Sequence, residues 1–429
     1  MLTKLNQGLF YFFILLLPWQ TILILKEVEI NNEKFQYGTI GIYLFEIILL
    51  IWVLSNILVL KNYSDKKILF SILSFASFSA LSILWSDDKL LSFYFLFPLL
   101  LGSFLFLILQ KKVLIFKNIT FAFIFSASLH GILGLYQFLS QNSFSNKWLG
   151  LSEHIAWQGG SSVIEVSTGR FLRAYGAMPH PNILGGLLLI TILLGIGAYL
   201  KTSSFEKKWR YFLIATITIN FFSLLSTFSR SSFLALSFGL ILFFAYNVYN
   251  NKKYQIKALL MFLGVFFIIG FIFFSSFSEL LMGRMQANSR LERKSVNERN
   301  LLIHQAQKII VKNPIIGIGI GNYTYVLLKN NPDIKKIWLF QPVHNVYLLI
   351  FAELGAIGFS LFLFIVIFMI YNFIESFKKE DSNRVIFSVI TVSLLLIALF
   401  DHWLWTTHFG VIAFWLLISF SREKDLTHA

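Results

Sequence analysis

Arg230, Arg299 and His344 are the residues whose types and places suggest chemistry. Arg230 stands in Ser229-Arg230-Ser231, between two apolar runs of membrane-spanning length. Arg299 opens an amphipathic stretch, and His344 closes the same hydrophilic region in Pro342-Val343-His344-Asn345. A charge at a membrane border is costly unless something anionic meets it. Guanidinium groups make planar, two-pronged contacts with phosphate oxygens, and an imidazole changes charge near neutrality. The set suits a diphosphate-type anion and a proton to be moved. Taken singly, each has a plainer reading: an interfacial arginine snorkelling to lipid, a loop cation among many, a histidine capping a helix.

Other polar residues cluster nearby in the sequence. Arg170, Arg173, His180 and Asn182 fall in a turn-rich stretch ending His180-Pro181-Asn182, where loop bonding and substrate contact are both open. Asn345 follows His344 and is placed to hold its ring or a substrate. Glu353, two to three turns further on, reads as a buried, paired carboxylate. Asp401, His402 and His408 are metal-ligand types, but no further ligand at a defined spacing completes a set.

The elements that must carry these residues follow from composition. Of 429 residues, 57% are hydrophobic and 13% charged, and soluble domains carry about twice that charged fraction. The chain reads as an all-α, polytopic membrane protein forming a single integral-membrane domain over 1–429. Apolar runs at 8–25, 38–60, 68–85, 89–109, 118–139, 181–200, 211–227, 231–248, 257–277, 344–371, 384–400 and 404–420 predict about twelve spans. The first run lacks a small-residue cleavage site and reads as a retained helix. The absence of cysteine excludes disulfides, thiolate metal sites and cysteine nucleophiles.

The net charge of +15 is read through its distribution. With the N-terminus in the cytoplasm, the short basic connectors 61–67, 111–112, 207–210, 252–253 and 377–379 share one side, as positive-inside bias requires. Both termini are then cytoplasmic, and the charge speaks for topology and anionic lipid headgroups, with no nucleic-acid partner. Loops 141–180 and 278–343 fall outside. The second carries Arg284, Arg290, Arg293, Lys294, Arg299, Lys308, Lys312, Lys329, Lys335 and Lys336, a basic outer loop that calls for a functional reason.

Within that loop Leu301, Leu302, Gln305, Ala306, Ile309 and Ile310 recur at helical spacing, predicting an amphipathic helix with its apolar side towards the membrane. Asn313-Pro314 ends it. Gly317, Gly319 and Gly321 follow, without the Gly-Lys-Ser/Thr or strand–turn–helix context of a nucleotide loop, so they read as turn and close packing.

Taken in order, Arg173-Ala174-Tyr175-Gly176 through Pro181-Asn182, Thr227-Phe228-Ser229-Arg230, Arg299 with its helix, Asn313-Pro314-Ile315-Ile316-Gly317 and His344-Asn345 through Glu353-Leu354-Gly355 resemble the O-antigen ligase and polysaccharide polymerase superfamily of GT-C-type membrane glycosyltransferases. The resemblance covers about residues 170–360. It implies a bacterial inner-membrane enzyme with a periplasmic site, using a glycan on undecaprenyl diphosphate as donor. It implies Arg230 and Arg299 as diphosphate ligands, His344 as the residue that activates the acceptor hydroxyl, and a metal-independent, inverting reaction without cofactor. Ligases of this kind glycosylate a lipid A-core sugar, polymerases another repeat unit, and relatives protein hydroxyls. The modest second loop favours the ligase. Transport of a polysaccharide or lipid is the reading from another class; against it, the charged residues collect at the outer border instead of the midplane, where transporters bind, and Glu46 and Glu353 are the only acidic residues well inside the expected spans.

Overall fold

The computed structural model describes residues 2–30, 33–62, 66–112, 114–202, 205–285, 290–331, 339–379 and 381–422. Lys335 and Lys336 of the basic loop lie outside them. The chain opens with helix α1 (Leu2–Leu16), strands β1 (Ile22–Lys26), β2 (Glu29–Ile30), β3 (Glu33–Lys34) and β4 (Ile40–Tyr43), and helices α2 (Leu44–Asn56), α3 (Lys66–Leu81), α4 (Lys89–Leu109) and α5 (Phe116–Ser140). Strands β5 (Val163–Val166) and β6 (Gly169–Leu172) form a hairpin before α6 (Pro181–Lys201), α7 (Lys207–Thr227), α8 (Arg230–Tyr249) and α9 (Lys253–Met285). Then come α10 (Arg290–Lys312), α11 (Tyr323–Asn330), α12 (Val346–Lys378), α13 (Ser382–Ile397), α14 (Trp403–Thr406) and α15 (His408–Phe420).

The architecture is the expected all-α membrane bundle. Among the described residues eight helices are long and apolar enough to cross a membrane, and shorter apolar helices occupy 44–60, 382–397 and 408–420. One expected span is corrected. The run 8–25 is helical only to Leu16; Pro18 cannot continue an α-helix, and Ile22–Lys26 pairs antiparallel with Ile40–Tyr43. The run 38–60 accordingly begins as strand and turns helical at Leu44.

Helix α6 is the axis of the bundle, 94% of its apolar window being buried. Small residues let its neighbours close in. A Cβ at Gly186 would lie 2.4 Å from Trp403 Cζ2, and one at Gly185 2.6 Å from Ser232 Oγ. Both glycines sit just beyond the helix start, so they draw the ends of α8 and α14 up to Asn182.

The glycine segment after α10 has a structural task. Helix α12 is broken at Gly355 (φ 64°, ψ −169°), which frees backbone groups inside the bundle. Returning chain satisfies them: Ile318 and Gly319 N–H donate to Ala352 and Glu353 carbonyls (3.2 and 2.8 Å), and Ala356 and Ile357 N–H donate to Pro314 and Ile315 (2.8 and 3.2 Å). Non-helical backbone at this depth survives only when so paired. Gly317 (φ 68°) and Gly355 lie back to back, and a Cβ on either would meet the other strand's backbone at 2.3–2.4 Å. The Glu353 carboxylate accepts from Trp405 Nε1 (2.8 Å) and from Gly321 and Tyr323 backbone N–H. These contacts clamp α10 and α11 to α12. They also correct the helix's surroundings: Leu302, Ala306 and Ile309 are buried in the protein, while Leu301 is half-exposed.

Candidate active site

Four connections meet at one end of the bundle: the approach to α6, the α7–α8 turn, the approach to α12 and the α13–α14 link. Helix α7 ends on Phe228 in the left-handed region (φ 49°), and Ser229 turns straight into α8, so Arg230 is the first residue of that helix. Pro181 opens α6 at a position needing no intrahelical N–H, and His180 caps it by accepting from Asn182 N–H through Nδ1 (3.1 Å). Asn345 caps α12 by accepting from Leu348 N–H (2.9 Å) and donates to the Leu399 carbonyl (3.2 Å). That second bond ties the start of α12 to the end of α13. His344 and Asp401 thereby face each other.

Arg173 organises the loop before α6. Its guanidinium is buried and donates through Nε to the Thr227 carbonyl (2.7 Å), through Nη1 to Ser162 Oγ (2.7 Å) and through Nη2 to Asn182 Oδ1 (2.8 Å). Asn182 passes the polarity on, its Nδ2 donating to Asp401 Oδ2 (2.9 Å). Asp401 Oδ1 accepts the His402 backbone N–H (2.8 Å) and lies 4.0 Å from His344 Nδ1. A polar chain thus runs from Arg173 through Asn182 and Asp401 to His344.

Over this chain lies a cavity of about 320 Å³. Arg170, Arg173, His180, Asn182, Arg299 and His344 line it, six of the eight residues singled out from sequence. So do Arg284, Lys294, Glu298 and Gln341, which were not singled out. Arg170 reaches Glu165 Oε1 (3.4 Å), which also accepts from Arg290 (2.9 Å), so its charge is partly spent on the β5–β6 hairpin. Asn345 is absent from the lining; its side chain is committed to the cap. Arg230 is exposed on the start of α8 and likewise outside the lining.

Electrostatics at this end favour a neutral imidazole beside a charged carboxylate. Burial lowers the His344 pKa; Asp401 pulls it up and the Arg299 charge pushes it down, leaving it below the ordinary value. Burial alone would raise the Asp401 carboxyl, but His344, His402, His180 and the Asn182 amide outweigh it, holding it down at about 2. His402 and His180 are each lowered to about 3, by burial first. His344 Nδ1 is buried without a hydrogen bond; 4.0 Å is beyond hydrogen-bond range, the looseness common in a site that tightens on its substrate.

Three residues offer metal-ligand atoms within 4.8 Å of one another: His344, Asp401 and His402. His402 Nδ1 is engaged by Thr406 Oγ1 (2.7 Å) and both Asp401 oxygens accept hydrogen bonds, whereas His344 Nδ1 has no protein partner. His408, grouped by type with Asp401 and His402, is elsewhere, its Nδ1 2.5 Å from buried Glu46 Oε1. Sequence reasoning missed Asp401 as the partner of His344, although two successive antiparallel spans starting near 344 and ending near 400 put both residues at one end.

Residues 213–363 match the family described as O-antigen ligase. The match takes in Arg230, Arg299, His344 and the Gly317–Gly355 clamp, whereas Arg173, Asn182 and Asp401 lie beyond it. No curated protein matches the chain.

Proposed function

We propose that this chain, a member of the O-antigen ligase superfamily by the domain at residues 213–363, transfers a glycan from undecaprenyl diphosphate to a hydroxyl of a lipid A-core sugar at the periplasmic face of the bacterial inner membrane. The observation that carries the reading is the meeting of His344, backed by Asp401, with Arg284, Lys294 and Arg299 in the lining of one cavity.

His344, neutral at working pH, accepts the acceptor's hydroxyl proton through Nε2. The oxygen forms its bond to the anomeric carbon as the bond to the diphosphate oxygen breaks, and the diphosphate leaves with that electron pair. A single displacement of this kind inverts the anomeric centre. Asp401 stabilises the imidazolium as it forms, from the Nδ1 side. Arg299, with Arg284 and Lys294 beside it, meets the charge developing on the leaving group, where preorganised cations act most strongly. Arg230 stands at the N-terminus of α8, where backbone N–H groups and the helix dipole already favour an anion, and holds the donor's phosphate at the membrane border.

The charges inside the spans argue against transport. Glu353 is held by Trp405 and backbone N–H groups, and Glu46 by Tyr43 N–H (3.0 Å) and His408. Each is a closed structural pair, unlike an open coupling-ion site. Reconstituted protein offered donor glycan with lipid A-core, and donor glycan alone, tests the acceptor. Glycosylated core in the first and no chain growth in the second is expected; elongation of the lipid-linked glycan without core would make the reaction polymerisation.

A further inference from the structure

The end of the bundle remote from His344 holds a second cavity, of about 530 Å³, between α3, α4, α12, α13 and α15. Arg384, in the first turn of α13, lines it and is 2% exposed. Its Nη2 donates to Glu375 Oε2 (3.2 Å), while Nε and Nη1 are buried with no hydrogen-bond partner. Lys67, Lys111 and Arg422 line the same cavity, and Glu375 is the carboxylate among its described lining residues. Glu375 is itself shared, its Oε1 lying 3.3 Å from Lys379 Nζ.

A buried guanidinium with two unmet N–H edges is costly. The missing partner is an anion with several acceptor oxygens. The rest of the wall says which kind. Phe364 and Tyr371 are 56% and 59% exposed on the outer flank of α12 and also line the cavity, so it opens sideways along apolar helix faces. A soluble anion has no use for such an opening; hydrocarbon tails do. We propose that this cavity binds the phosphate headgroup of an anionic membrane lipid, the phosphate on Arg384 and the tails against Phe364 and Tyr371. Basic pockets between helices are suited to this task. The proposal stands apart from the glycosyl-transfer site, since it uses none of that site's residues.

The test uses full-length protein, purified and delipidated, with lipid binding followed by native mass spectrometry and thermal shift. The ligands are phosphatidylglycerol, phosphatidylcholine and inorganic phosphate. Phosphatidylglycerol is expected to occupy one site at least about tenfold more tightly than phosphatidylcholine. Arg384→Gln is expected to weaken it by about tenfold or more, the worth of charge-assisted hydrogen bonds. The double variant Lys67→Gln, Arg422→Gln, at the better-solvated rim, is expected to weaken it several-fold, and it decides the matter if Arg384→Gln does not fold. Equal binding of the two lipids, or unchanged affinity in the double variant, would overturn the site. Stabilisation by millimolar inorganic phosphate equal to that by phosphatidylglycerol would overturn the lipid assignment.

Discussion

Asp401→Asn tests the positioning of His344 without removing a reacting group. The amide has the carboxylate's shape and still accepts a hydrogen bond, but its charge is gone. At the observed 4.0 Å, a charge pair at an effective dielectric of about 20 is worth about 4 kcal/mol, and water in the cavity reduces that figure. Converted at 1.36 kcal/mol per tenfold, the loss in kcat is expected at roughly 10²–10³-fold, with donor KM little changed. The pH profile gives an independent sign. Protonated His344 is inactive as a base, so the rate falls as pH drops through its pKa, which already lies below the ordinary value. Asp401 raises that pKa, so its neutralisation moves the acid limb to still lower pH. Glycan transfer by purified protein, measured across pH, reads both quantities. A wild-type kcat, or a loss confined to KM with an unmoved acid limb, would refute the reasoning.

His344→Ala is expected to lower turnover by roughly 10²–10⁴-fold and to abolish the acid limb in the residual rate, with donor binding much less affected. Arg299→Ala and Arg230→Ala are expected to weaken donor binding, each by about 1.5–3 kcal/mol of charge-assisted hydrogen bonding, with Lys rescuing partly for want of a planar fork; donor titration checks both. Cysteines placed at Ser152 and Lys208, both exposed, are expected to react on opposite sides of the membrane with an impermeant thiol reagent, Ser152→Cys from outside, and no native thiol competes.

Much of the bundle is legible because membrane helices are read from length and apolarity alone. The apolar run 8–25 misleads for a physical reason: Ile22–Leu25 is as apolar as a span, and only Pro18 and the β-branched residues mark the change to strand. The broken helix at Gly355 is hidden for a similar reason. Its glycine is one of many, and the break becomes necessary only when the Pro314–Gly319 backbone is seen lying against it. In the site, residues chosen by type at helix ends came together because their helices end on one side. Their roles were less legible. Nothing local distinguishes Arg173, whose guanidinium is spent on Thr227, Ser162 and Asn182, from Arg299, which faces the cavity beside His344. Asp401 escaped because its partner lies 57 positions earlier, and Arg284 and Lys294 because the basic loop gives every cation the same appearance.

The measurement closest to the central claim is reaction of the reconstituted protein with purified undecaprenyl-diphosphate-linked glycan and lipid A-core, run in excess EDTA, following both the glycosylated acceptor and the released lipid diphosphate. Equal amounts of the two products, inversion at the transferred anomeric carbon, and loss of both products in His344→Ala are expected. Movement of intact lipid-linked glycan without release of diphosphate, or a reaction that stops in EDTA and returns with a divalent ion, would contradict that claim.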